Sequence, residues 1–473
     1  MKQASLPVIP IVPVSLYVSE AKIQPRSVHG WFAAWRWGLV WFTQVLYYGL
    51  PWLEWNGRQA LLFDLGARRF YIFGMVLHPQ DVIYLAVLLI ISAFALFLFT
   101  AVAGRLWCGY ACPQTVYTEI FMWVERRFEG DRQARLKLDA APWSWAKLVK
   151  KGGKQLVWLA IGLWTGFTFV AYFTPARELA AEVTSFGLGP WEAFWILFYG
   201  FATYGNAGYM REQVCKYMCP YARFQSAMFD RDTLIISYAE RRGEPRGSRP
   251  RGVDPVTLGK GDCIDCTLCV QVCPTGIDIR KGLQYECIGC AACIDACDSV
   301  MDKMQSPRGL IRYATQNSIE HGWSNRAMWR RIARPRVLLY SAVLLGIVTA
   351  FVLSLALRAP FKADVMRDRG ALARMVEDGR IENVYRVQLM NATEQAQRFH
   401  IAVDGLPGAS LPAWADVEVG ATEARWVPVV VQVPAESARA LGAGAHPLQF
   451  RISLVGESER AELREKSTFL VPR

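Results

Sequence analysis

The chain is poor in histidine and confines its cysteines. The five histidines (His29, His78, His321, His400 and His446) are scattered over 473 residues. A haem ligand at His29 or His78 therefore ranks below an ordinary surface role. No phosphate-cradling G-x-G-x-x-G and no P-loop stands out, which removes the common nucleotide-binding signatures. No cysteine lies before 108 or after 297, so no disulfide can staple either end of the chain. A secretory leader is also missing from the pattern: prolines interrupt the apolar stretch of residues 1–24, and no A-x-A site follows. Residues 1–32 are expected to form an extended cytosolic arm.

Apolar and aromatic residues are plentiful. The chain is 53% hydrophobic, with 18 Trp. Five segments are long and apolar enough to be read as membrane helices, which need about 20 residues: 33–54, 82–103, 155–174, 190–209 and 337–357. Arg36, Gln44 and Asn206 interrupt the first and fourth. The net charge is +12, but its placement argues against nucleic acid. Lys and Arg concentrate in the loop 104–154, including Arg126, Arg127, Arg132, Arg135 and Lys137, and in 210–336. By the positive-inside rule those loops face the cytosol, and residues 358–473 lie outside. Residues 60–80 are apolar but broken by Asp64, Arg68, Arg69 and Pro79, and are expected at the outer surface as a partly re-entrant segment.

Beyond residue 357 the pattern turns to period two. The runs 385–393, 399–405, 425–434, 447–456 and 467–473 read as strands between turns. They predict an immunoglobulin-like sandwich. Asn391-Ala-Thr393 fits a glycosylation sequon, and a three-residue match carries no weight.

The twelve cysteines form two kinds of group. Residues 263–273 read C-I-D-C-T-L-C-V-Q-V-C, then Pro274, and residues 287–297 repeat the spacing as C-I-G-C-A-A-C-I-D-A-C. This C-x2-C-x2-C-x3-C run is the bacterial two-cluster ferredoxin signature, in which the fourth cysteine serves the other cluster. One [4Fe-4S] cluster is assigned to Cys263, Cys266, Cys269 and Cys297, the other to Cys287, Cys290, Cys293 and Cys273. Zinc sites use C-x2-C pairs and leave the third cysteine unexplained. Asp298 stands where the second run would carry proline. The clusters imply one-electron transfer in a cytosolic domain, 210–336, with its core at 258–302.

The second kind is a pair of C-x3-C-P motifs, "LWCGYACPQ" (106–114) and "QVCKYMCPY" (213–221). They place Cys108, Cys112, Cys215 and Cys219 at the cytosolic ends of the second and fourth expected spans. Pro113 and Pro220 are each expected to open a helix, with Cys112 and Cys219 at its N-terminus, where a thiolate is favoured. Arg105, Arg211, Lys216 and Arg223 are close in sequence and push the same way. Buried structural cysteines are the plain alternative. The functional reading is a redox or metal site, and soft thiolates prefer Cu(I).

These motifs, with "LFDLGARRFYIFGMVLHPQD", "CGYACPQTVYTEIFMWVERRFEGDR", "ISYAERRGEPRG" and "LIRYATQN", resemble the cytochrome c oxidase accessory protein family CcoG, also called FixG or RdxA. The resemblance runs through most of the chain. It implies a bacterial inner-membrane protein that assists assembly of cbb3-type cytochrome oxidase, reducing Cu(II) to Cu(I) as a cupric reductase. Copper is then a substrate. An unidentified cytosolic electron donor and the oxidase or its copper chaperones are the partners. The cluster cysteines and the four C-x3-C-P cysteines match the family's positions. Two rival readings are a quinol-linked membrane relay without copper chemistry and an assembly scaffold with structural clusters. The fold class expected is a multi-domain membrane protein: a helical bundle of about five spans (33–209 and 337–357), an inserted ferredoxin domain and the outer sandwich, 358–473.

Overall fold

A computed structural model of the chain describes residues 22–368, 370, 373–411, 416–455 and 462–472. Most of the expected N-terminal arm lies outside the described residues. The fold divides into two compact units. The first comprises residues up to Val40 with Thr100–Trp158 and Tyr204–Ile332, and the second Trp41–Phe99, Leu159–Thr203 and Ala333–Arg473. Every cysteine belongs to the first unit.

Helices occupy all five stretches expected to span a bilayer: Trp31–Gly49, Val82–Ala103, Trp145–Val170, Pro190–Gly205 and Pro335–Ala356. Two, Pro79–Ala103 and Pro335–Ala356, are long and apolar enough to cross a membrane. Leu85, Leu88, Leu89 and Ile90 of the first and Leu338, Leu339 and Leu345 of the second are exposed. Apolar faces of that size call for a cover such as lipid. The other three differ in composition or length. Trp145–Val170 opens with Lys147, Lys150, Lys151 and Lys154, Pro190–Gly205 has only 16 residues, and Trp31–Gly49 buries Arg36.

In the second unit, Asp81 joins the two apolar helices at one end. Its carboxylate accepts from Arg358 Nη2 at 2.7 Å and from Lys362. The 60–80 segment is built of strands. It forms a three-stranded antiparallel meander, Leu61–Asp64, Arg69–Ile72 and Met75–Leu77, over buried Leu62, Tyr71 and Val76. Its charged residues cluster at or beside the first turn, which is what allows the apolar positions to alternate.

The C-terminal strands make a sandwich. One sheet pairs Ile381–Asn391 with Phe361–Arg367 and Ala424–Val433. The other runs Asp416–Val419, Gln397–Asp404, Gly444–Leu454, Glu462–Val471, all antiparallel. Alternate residues point inward, so Tyr385, Val387, Leu389, Phe399, Phe450 and Phe469 fill one cysteine-free core. Asn391 is fully buried, and its Nδ2 donates to Gln395 O and Gly420 O. The sequon is therefore structural.

Within the first unit a two-stranded ladder, Ile235–Tyr238 with Ile311–Ala314, backs the cysteine loops. Beneath the loops lies a buried ionic knot. Glu125 meets Arg135 at 2.8 Å, Arg211 at 3.0 Å and Lys154 at 3.6 Å, and Lys154 also meets Glu129 at 2.7 Å. Burial alone would raise the Glu125 carboxyl, but Arg211, Lys22, Arg135 and Lys154 override it and hold it at about 2.

Candidate iron-sulfur and thiol site

The two C-x2-C-x2-C runs fold as near-copies. Each bends into the left-handed region at the residue before its second cysteine (Asp265, φ 56°; Gly289, φ 70°). Each does so again at the residue after it (Thr267, φ 57°; Ala291, φ 59°). Each then enters a helix, Leu268–Gln271 or Ala292–Met304. Successive bends of this kind turn backbone N–H groups toward the concave side, which suits an anionic centre. The first helix ends at Gln271, just before Cys273-Pro274. The second continues through Cys297 to Met304, so residue 298 sits inside a helix, where proline would break it. Asp298 instead accepts from the Gly309 backbone N–H at 3.0 Å.

The loops enclose two pockets. Cys263, Cys266, Cys269 and Cys297 line one of about 380 Å³, with Arg280, Leu268 and Met301. Cys273, Cys287, Cys290 and Cys293 line the other, of about 330 Å³, with Ile236, Ile288 and Ala292. Each pocket thus collects the four sulfurs assigned to one cluster from spacing, and Cys269 borders both. All-thiol donors in apolar walls fit a [4Fe-4S] group. Burial pushes the Cys287 and Cys297 thiols up to about 12 and Cys269 to about 11, and raises Cys290 and Cys293. Thiolates here need a cationic partner, so loading iron must release protons.

The first C-x3-C-P segment packs against the second cysteine loop. Gly104, at φ 56°, ends the Val82–Ala103 helix. A side chain there would strike Leu234 O. One helical turn, Leu106–Tyr110, carries Cys108. The chain then extends at Cys112, and Pro113 opens the Pro113–Glu129 helix. The second motif repeats this less regularly. Cys215 lies in a π-helical turn, Val214–Met218, and Cys219 precedes the Pro220–Met228 helix. Such turns favour functional sites.

Gly109 is the point of contact. A β-carbon on it would lie 2.7 Å from Cys290 Cα and 2.8 Å from Cys290 N. Reciprocally, one on Gly289 would lie 3.1 Å from Arg105 C and O. Cys108 packs against the buried group of Cys290, Ile288, Val272, Ala292 and Ala296. Tyr313 Oη donates to Gly289 O at 2.6 Å and lies 3.4 Å from Tyr110 Oη.

Cys112 and Cys215 act on Cys108, and Cys219 acts on Cys112 and Cys215. Burial dominates the chemistry of Cys108, Cys112 and Cys215. It pushes Cys108 up to about 12, reinforced by Cys112 and resisted by Arg105 and Gln225. It pushes Cys215 up to about 11, reinforced by Cys112 and Cys219. It raises Cys112 although the Thr115 and Gln114 N–H groups pull the other way. The expectation that helix ends and basic neighbours hold thiolates is corrected at these three positions, because desolvation outweighs both. Arg211 acts elsewhere, on Glu125. Arg105 does act on Cys108 and Cys215, and its guanidinium donates to Tyr285 O and Ala222 O. Sequence reasoning missed Gln225, which is fully buried and accepts from Cys108 Sγ at 3.3 Å. Its place six residues past Cys219 gives no signal without the fold. Among the described residues, no three His, Cys, Asp or Glu side chains already close on a single-ion position.

Comparison with known proteins agrees with this anatomy. A 4Fe-4S dicluster domain model matches residues 210–316, and a 4Fe-4S binding domain model matches 85–130. A model described as the IG-like fold at the C-terminus of FixG matches 351–472. The chain is 43% identical over 397 residues to protein RdxB of Cereibacter sphaeroides, covering 82% of this chain and 83% of that one. It is 40% identical over 441 residues to RdxA of the same organism, covering 90% and 92%. It is 39% identical over 427 residues to the nitrogen fixation protein FixG of Rhizobium meliloti, covering 84% and 82%. With two 4Fe-4S family models over its cysteines and relatives matched along most of both lengths, the chain belongs to the FixG/RdxA family of iron-sulfur proteins.

Proposed function

We propose that this protein is a multi-pass inner-membrane cupric reductase that supports assembly of cbb3-type cytochrome oxidase. The cysteine unit faces the cytosol and the sandwich faces the periplasm, where it docks the oxidase or a copper chaperone. Cys263, Cys266, Cys269 and Cys297 would hold one [4Fe-4S] cluster, and Cys287, Cys290, Cys293 and Cys273 the other. When bound, such clusters supply one-electron transfer.

The chain's own residues do the rest. Cys108, Cys112, Cys215 and Cys219 take Cu(II) as substrate, which gains one electron from a cytosolic donor and becomes Cu(I). Binding copper displaces their protons and turns Cys108 away from Gln225. Soft sulfur then favours the reduced ion. Arg105, fixed between Cys287 and Cys108, offsets negative charge on both sides. The observation that carries the reading is Gly109 packed against the Cys290 backbone, with Cys108 in the same apolar group.

The test is Cu(II) reduction by anaerobically purified protein in which Cys108, Cys112, Cys215 and Cys219 are all changed to Ala. Loss of reduction with full iron content is expected. Undiminished reduction removes the thiols from the mechanism. The Cys108–Gln225 hydrogen bond, which already satisfies that thiol, favours the rival relay without copper chemistry. Cluster reduction by quinol with no response to copper would select that rival.

A further inference from the structure

The second cysteine loop also borders a cavity of another character. It is partly open to solvent, and Arg26, Arg36, Arg126 and Arg135 line it, with Glu119 and Ala292. Two of its guanidinium groups are almost wholly buried, Arg36 at 7% and Arg135 at 2% exposure. The Nε of each has no hydrogen-bond partner and no access to solvent. The remaining Arg135 nitrogens are spent, Nη1 on Glu125 at 2.8 Å and Nη2 on Pro25 O. Arg126 Nη2 stands 3.9 Å from Glu119, too far for a hydrogen bond.

A buried charged donor left without an acceptor is costly, and two on one cavity mark a missing acceptor. Its sign follows from the charges around it. Glu119 and Glu125 answer two of the four guanidinium groups and Asp295 acts on Arg36, which still leaves an excess of positive charge and favours an anion. Its shape follows from the donors. Planar guanidinium forks match the several acceptor oxygens of a tetrahedral oxyanion.

We propose that Arg26, Arg36, Arg126 and Arg135 form a binding site for a phosphate-type oxyanion beside the second cysteine loop. This site is independent of the copper reading and needs none of the four C-x3-C-P thiols. Its occupant would lie against Ala292, between Cys290 and Cys293. Anion occupancy would therefore stabilise the inner loop.

The test is calorimetric titration of the purified, cluster-loaded protein with inorganic phosphate and, separately, with glycerol 3-phosphate. Saturable binding is expected at or below about 1 mM. R36Q alters a buried residue and can fail to fold, so partly exposed Arg126 and exposed Arg26 carry the experiment. R126Q should weaken binding about tenfold, the loss expected for one charge-assisted hydrogen bond, and the R26Q/R126Q pair by more. Competition by glycerol 3-phosphate would identify a phosphate monoester as the source, and phosphate alone would identify the free ion. Unchanged affinity in the R26Q/R126Q pair would mean an adventitious ion only. That result, or no response to either anion, overturns the site.

Discussion

The two cysteine loops share a spacing and a set of backbone bends, yet they live in different surroundings. In the first, Cys266 is exposed. The basic residue of its pocket, Arg280, is already neutralised by Asp278 at 2.8 Å and Asp265 at 2.5 Å. In the second, Cys290 is buried beneath Gly109, and Arg105 and Arg36 stand close by. One motif has thus been given an outward face and an inward face. The outer loop is open at Cys266, and the inner loop is closed off by the first C-x3-C-P motif at Gly109. Local spacing builds the pocket, and the packing around it sets how exposed it is.

The ionic knot offers the harshest way to break this contrast. Glu125 binds Arg135, which holds Pro25 O, and Arg26 N–H donates to Gln271 O near the inner loop's fourth ligand, Cys273. Glu125→Gln would leave several buried cations uncompensated and should cost about 3–5 kcal/mol of stability. The sign with pH follows from a carboxyl held at about 2 against its ordinary 4.5. The contribution, about 3 kcal/mol, is complete above pH 4.5 and disappears as pH falls toward 2. Urea unfolding of the wild type and the variant in detergent, followed by tryptophan fluorescence, should show curves that converge in that window. A gap that persists at pH 2 would refute the assignment.

Gly109→Ala is the next largest. The new methyl must displace the Cys290 backbone, which should cost about 1–3 kcal/mol and slow Cu(II) reduction while both clusters load. Full activity would mean that the contact is incidental. The equivalent positions before the second cysteines separate the loops more finely. Gly289→Ala combines a left-handed φ with the nearby Arg105 carbonyl and should cost about 1–2 kcal/mol. Asp265→Gly should stay within about 1 kcal/mol, because the loss of an exposed ion pair is offset by relief of the same φ. Thermal unfolding of both variants checks the ranking. Last, brief alkylation of metal-free protein followed by mass spectrometry should label Cys266 at least about tenfold faster than Cys290. Equal labelling would contradict the burial of Cys290.

Much of this architecture is legible in the residues. Period-two alternation from Tyr385 onward marks the sandwich because strand faces alternate whatever they pack against. Cys263–Cys273 and Cys287–Cys297 announce iron-sulfur pockets because ligand spacing is local covalent geometry. Pro113 and Pro220 start helices for an equally local reason. The strands of the 60–80 segment are not legible because charges near a turn look, in sequence, like breaks in an apolar run. The thiol state misled for a deeper reason. Helix ends and nearby arginines can be seen in the sequence, but burial around Cys108, Cys112 and Cys215 is supplied by distant segments.

The amino-acid sequence by itself determined which sulfurs can share a cluster, where the helices begin and that the C-terminal strands form a cysteine-free sandwich. Only the tertiary structure decided that Gly109 rests on Cys290, that Arg211 serves Glu125 and that four arginines meet beside Ala292. The division has a physical cause. Backbone preference and ligand reach act over a few residues, while desolvation and charge act through space between segments far apart in the chain, as for Cys108 and Gln225 at a separation of 117.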